Sequence, residues 1–136
     1  FLAEAENFID EKGGKAVVRD DKVGVNGKCI SHWDSKDHEL SWKIDLPQAG
    51  KYILQLRYTG ERSTRDIYIN GEKLGTFVIP ASGGLGASAV DWELYNVGHN
   101  GGQLVLDLKA GPQLIRMVNT KGEMLNLDYL SLIPVK

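Results

Sequence analysis

Apolar residues recur at every second position in this chain, and a turn signal interrupts the pattern every few residues. In Leu40-Ser41-Trp42-Lys43-Ile44-Asp45-Leu46 the apolar side chains fall on even numbers and the polar ones on odd numbers. That is a strand with one wet face. Pro47 stops it, and Pro47-Gln48-Ala49-Gly50 reads as a turn. Tyr52 to Tyr58 repeats the alternation, and Asp66 to Ile69 runs through Asn70-Gly71 into a hairpin partner from Leu74 to Ile79. Further strands are expected over 3–9, 16–18, 90–97, 103–109, 113–118 and 125–133. No window of a dozen residues holds a helical apolar stripe free of Gly or Pro. Glycine numbers 16, above ordinary usage. Asn-Gly recurs at Asn26-Gly27, Asn70-Gly71 and Asn100-Gly101, each suited to a turn with positive φ. About ten short strands without helices predict an all-β chain, a β-sandwich or a barrel. The first and last strands are expected to pair and close it.

Length and charge narrow the function classes. The 136 residues suit a single domain spanning 1–136. Lys+Arg number 16 against 18 Asp+Glu, a net charge of -2, which argues against a nucleic-acid or anionic-membrane surface. No apolar run is long enough to span a bilayer. No leader pattern opens at Phe1, so the expectation is a cytosolic protein or a mature or excised fragment. Cys29 is the only cysteine, which excludes a disulfide framework and a multi-thiolate zinc site.

A search for catalytic chemistry finds little. There is no Gly-x-Ser-x-Gly elbow and no phosphate-binding loop. Gly84-Leu85-Gly86 lacks the rest of a dinucleotide fingerprint and reads as a flexible loop. Ser31-His32-Trp33-Asp34 carries triad letters in a row, but neighbours on a strand point to opposite faces. A His32/His38 metal site across a loop is weighed against two polar surface histidines, the simpler reading. His99 stands apart.

The acids leave a question open. On a strand, Glu4 and Glu6 would share a face, and Asp128 would lie on the strand beside them. Three ionised carboxylates repel unless a cation or basic side chains neutralise them, and hard oxygen ligands suit Ca²⁺. A solvated face with lysine partners is the alternative. A glycosidase pair is disfavoured, because neighbours on one strand flank nothing.

Several segments together resemble a known family. They are the opening Ala3-Glu4-Ala5-Glu6-Asn7-Phe8, then Leu46-Pro47-Gln48-Ala49-Gly50-Lys51-Tyr52 with Leu56-Arg57-Tyr58, then Ile69-Asn70-Gly71, and the closing Asn126-Leu127-Asp128-Tyr129-Leu130. In order and spacing the chain resembles carbohydrate-binding modules of families 6 and 35, in the galactose-binding-like superfamily. The resemblance implies a β-sandwich jelly roll without catalytic activity, and a structural Ca²⁺ on Glu4, Glu6 and Asp128. It implies a sugar site on the loops at one end, with Trp33 and Trp92 as stacking rings and Asn126 hydrogen-bonding the sugar. Arg65 is the matching basic residue for a uronic acid. It further implies a carbohydrate partner, an attached glycan-active catalytic domain, and an extracellular or periplasmic setting.

An indole stacks well on the C–H face of a pyranose, and Trp33 lies in a polar loop, residues 33–38. The opposing possibility is that Trp33 plugs the end of the sandwich and that Trp92 is core. Trp42 has the apolar parity of its strand and is assigned to the core, and Tyr52, Tyr58 and Tyr129 to core or strand pairing. The rival function is a structural or protein-interaction sandwich with no sugar site. Buried Trp33 and Trp92 would favour it.

Overall fold

The structure, a computed structural model, describes residues 1–22, 24–25, 27–84, 91–98 and 102–135. Its strands are β1 (Leu2–Glu4), β2 (Asp10–Lys12), β3 (Val17–Arg19), β4 (Cys29–Ser31), β5 (His38–Leu46), β6 (Gly50–Thr59), β7 (Ser63–Ile69), β8 (Glu72–Ile79), β9 (Glu93–Asn96), β10 (Leu106–Leu108), β11 (Gly111–Asn119) and β12 (Asn126–Pro134). Among the described residues helical conformation is confined to the 3₁₀ turn Ala5–Asn7 and to Asp91. Among the described residues all strand pairs are antiparallel, in two sheets.

The seven-stranded sheet is built on β6 and β12, which pair from Asn126↔Thr59 to Pro134↔Tyr52. β9 and β10 share the outer edge of β6; β1 and β4 share the far edge of β12, and β3 continues beyond β4. The five-stranded sheet has the order β2-β5-β11-β7-β8. The expected closure by the termini is present: Leu2 faces Ser131, Ala3 faces Leu130 and Glu4 faces Tyr129.

Alternation places the core. Leu40, Trp42, Ile44 and Leu46 of β5 are buried while Lys43 and Asp45 are exposed. Tyr52, Leu54, Leu56 and Tyr58 of β6 and Ile67, Ile69, Ile115, Met117, Leu130 and Leu132 complete the interior between the sheets. Each such side chain contributes roughly 1.5–3 kcal/mol through burial. Trp42 is core, as its parity predicts, and its Nε1 donates to the Ala5 carbonyl at 2.9 Å.

Several elements depart from expectation. The strand expected over 3–9 ends at Glu4, and Glu6 lies on the 3₁₀ turn, so parity does not relate the two acids. The turn is held by tertiary contact: Ala5 is fully buried and its carbonyl serves the Trp42 indole. β2 and β4 are three residues each, too short to display a period, and β2 is wholly polar. Asn70 and Gly71 have φ of 53° and 83°, as a two-residue hairpin turn requires. Asn26, Val90, His99 and the Asn100-Gly101 pair lie outside the described residues, as does the Gly-rich loop beyond Gly84.

Candidate functional site: a polar cleft at one end of the sandwich

β12 begins at Asn126 beside the end of β6, and β4 ends at Ser31 on the other side of β12. The chain beyond Ser31 turns sharply, because His32 adopts φ 60°. Together with β3 these segments bound a cleft of about 250 Å³ lined by Arg19, Lys22, Ser31, His32, Asp34, Met124 and Asn126. His32 and Asp34 are exposed; Trp33 between them is fully buried.

Trp33 is therefore a correction. Its ring meets Trp42 edge-on, with centroids 6.0 Å apart, and its Nε1 donates to the His38 carbonyl at 2.9 Å. It plugs the end of the sandwich and offers no face to a ligand. The physical reason is room: the loop crosses the open end between the sheets, where a large apolar side chain finds Trp42 and escapes water.

Arg65 is also corrected. It is fully buried, and its guanidinium lies 4.3 Å from the Trp33 ring centroid. Its donors reach the carbonyls of Thr64 (3.1 Å), Trp33 (3.2 Å) and Glu123 (2.9 Å) and the Asn119 Oδ1 (3.2 Å). Burial pushes its pKa down to about 9, with Glu123 pulling the other way. Asn119 Nδ2 donates to the same Trp33 and Glu123 carbonyls, at 3.0 and 2.9 Å. Arg65 and Asn119 thus bind together the two loops that carry Asp34 and Met124, and Arg65 contacts no ligand space itself.

Trp92 is 8% exposed, with the Arg57 guanidinium 5.1 Å from its ring centroid. A ring this covered is no sugar platform, which corrects the second stacking assignment. Asn126 does line the cleft. It is almost fully buried, and its Nδ2 donates to Thr59 Oγ1 at 3.2 Å.

The expected acid cluster is partly assembled. Asp128 sits in the bulge between Leu127 and Tyr129, fully buried, with Arg57 donating to its Oδ2. Burial raises the Glu4 pKa, and repulsion from Glu6 and Asp128 raises it further. Glu6 Oε1 is buried without a hydrogen-bond partner. Among the described residues no three acidic, imidazole or thiol groups stand close enough to form a ready metal site. Repulsion from Glu6 and Asp128 at Glu4 places the three acids in one field, and Arg57 donates to Asp128. Carboxylate oxygens are the donor type that suits a hard cation.

The two loop histidines separate. His32 faces the cleft; His38 is fully buried with Nε2 2.8 Å from Glu11 Oε2. Glu11 also accepts from the Ala16 N–H at 2.7 Å, which pins the β2–β3 segment to β5. The weighed His32/His38 site is not assembled, because His38 is turned inward onto Glu11 while His32 lines the cleft. Cys29 is buried, and desolvation pushes its thiol up to about 11, leaving it inert.

The sequence points to none of Arg19, Lys22, His32, Asp34 and Met124 as sugar-site residues, and to His32 only as a candidate metal ligand. For two of them a signal existed: if Trp33 faces inward, alternation sends His32 and Asp34 outward. Arg19 and Lys22 reach the cleft only through the pairing of β3 with β4.

No family model and no curated protein matches the sequence. Solved structures do match the fold. A family 35 carbohydrate-binding module from Clostridium thermocellum is 18% identical with a TM-score of 0.76, covering 99% of this chain and 98% of that one. The CBM35 from Paenibacillus barcinonensis is 21% identical with a TM-score of 0.77, covering 99% of both chains. The GH26-CBM35 β-(1,4)-mannanase of Podospora anserina is 22% identical with a TM-score of 0.76, covering 100% of this chain and 28% of that one. The fold is that of the family 35 carbohydrate-binding modules, a β-sandwich.

Proposed function

We propose that the chain is a non-catalytic carbohydrate-binding module whose sugar enters the cleft between His32, Asp34, Met124 and Asn126. The observation that carries this reading is Asn126. It opens β12 at the loop end of a family-35-type sandwich and lines a polar cleft there. Hydroxyl rims are held by directed donors and acceptors, which Arg19, Lys22, Asp34 and His32 supply. Met124, 43% exposed, offers a soft apolar surface to C–H groups in place of an indole. Within the described lining Asp34 is the lone carboxylate, so no flanking acid pair supports hydrolysis.

The ligand is a glycan, and the module delivers an attached catalytic domain to it by raising local concentration outside the cell. Solved relatives support this setting. One is a Paenibacillus glucanotransferase complexed with cycloisomaltoheptaose, of which the chain covers 18%; another is an exo-β-1,3-galactanase with β-1,3-galactotriose, of which it covers 28%. Calcium is assigned to Glu4, Glu6 and Asp128, where it would neutralise the acids and tie the first strand to the last.

Burial of Trp33 and Trp92 favours a second reading, a structural or protein-interaction sandwich without a sugar site. Affinity electrophoresis through β-1,4-mannan, β-1,3-galactan, α-1,6-glucan and glucuronoxylan, with and without Ca²⁺, separates the two. The carbohydrate reading expects retardation by at least one polymer, lost in Asp34→Ala and Asn126→Ala. Free migration through all four leaves the scaffold reading standing.

A further inference from the structure

We infer that His32 makes binding in the cleft pH-dependent: its neutral imidazole accepts a hydrogen bond from the sugar, and protonation weakens the complex. This inference rests on the carbohydrate reading above.

Three observations converge on His32. Its φ of 60° lies in the left-handed region, which few residues other than glycine occupy; histidine is among those enriched there. Such backbone strain gathers at functional sites. The side chain lines the cleft. Its Nδ1 lies 2.9 Å from Ser31 Oγ, and Nε2 makes no hydrogen bond among the described residues.

The serine accommodates the tautomer protonated at Nδ1, on which the inference rests. Ser31 Oγ also reaches the Val17 carbonyl, at 3.5 Å. A hydroxyl has one proton, and a carbonyl can only accept it. With that proton on Val17 O, Ser31 Oγ accepts from Nδ1–H. Nε2 is then the bare acceptor of the ring.

Acceptors are scarce on the walls. Lys22 and Arg19 only donate, and Arg19 is already paired with Asp21 at 2.8 and 2.6 Å. Met124 and Asn126, the lining from the β12 side, do not titrate. The titratable acceptors in the lining are Asp34 and His32. Protonation turns Nε2 into a donor and sets a third positive charge beside Lys22 and Arg19. Histidine is the side chain suited to a charge change between about pH 5 and 8.

Calorimetry at constant ionic strength tests this with three neutral probes: cycloisomaltoheptaose, β-1,3-galactotriose and β-1,4-mannotriose. Whichever binds should bind about fivefold more weakly at pH 5 than at pH 8, the loss of one hydrogen bond. His32→Asn, which tolerates the left-handed backbone, should melt like the wild type and show a flat profile. The wild-type His32 imidazole midpoint, followed by NMR, should fall on saturation with the bound probe. A flat wild-type profile, a slope kept in His32→Asn, or an unmoved midpoint overturns the inference while the carbohydrate reading stands. Should His32→Asn not fold, the wild-type profile and midpoint decide alone. Absence of binding by all three probes at every pH overturns the carbohydrate reading, and this inference with it.

Discussion

A tryptophan and an asparagine near the cleft have opposite roles. Trp33 is fully enclosed and packs on Trp42, so its truncation leaves a cavity at the end of the core. Trp33→Ala should cost about 3–5 kcal/mol and lower Tm by roughly 10 °C or more, read by calorimetric melting. Asn126→Ala deletes a small polar side chain and its hydrogen bond to Thr59, and should lower stability by less than Trp33→Ala does while abolishing retention on the polysaccharide that holds the wild type. Equal stability losses in the two variants would place Asn126 in the scaffold as well. Parity along residues 31–34 held this distinction in the sequence. The aromatic letter drew attention, whereas its neighbours, pointing the other way, face the cleft.

At the scale of elements, the joint between β1, the 3₁₀ turn and β12 concentrates negative charge. Glu4 has a raised pKa because of burial and then Glu6 and Asp128. A raised folded-state value means the native state keeps a proton that the unfolded chain has released. Without metal, this contribution to stability is present below the ordinary carboxylate value of 4.5 and is lost as pH rises through the folded value. Chelator-treated protein should therefore lose Tm across that interval. Added Ca²⁺ should restore it by mass action, and Asp128→Asn should remove the response. Identical melts with chelator and with Ca²⁺ at neutral pH would eliminate the calcium assignment. The β7–β8 hairpin gives a simpler test. Gly71 has φ 83°, so Gly71→Val should destabilise by about 1–2 kcal/mol; urea titration reads it. That turn was legible as Asn-Gly between two alternating runs. The 3₁₀ turn was not, because Ala-Glu-Asn carries no local signal and the Trp42 indole holds it in place.

Across the whole molecule one hydrophobic cluster joins both sheets, from Ala3 near the start to Leu132 near the end. β12 pairs with β1, β4 and β6, so neither terminus can leave without opening the seven-stranded sheet. Unfolding should be a single transition, with circular dichroism and tryptophan fluorescence midpoints coinciding. Two separated transitions would contradict a single cooperative core.

The sequence by itself determined the strand-rich architecture, because a period of two and turn residues such as Asn70-Gly71 act within a few neighbours. It determined the inward parity of β5 and β6 and, through recognisable opening and closing segments, the pairing of the first strand with the last. Tertiary structure decided the rest. Whether Trp33 meets sugar or core depends on the space between the sheets. Whether Arg65 faces solvent depends on where the Trp33 and Glu123 carbonyls come to lie. The cleft itself unites Arg19, Lys22, His32, Asp34, Met124 and Asn126, which come from three separate stretches of the chain and meet only because β3, β4 and β12 are hydrogen-bonded side by side. Local pattern fixes which face of a strand is dry; only long-range pairing fixes which residues share a wet one.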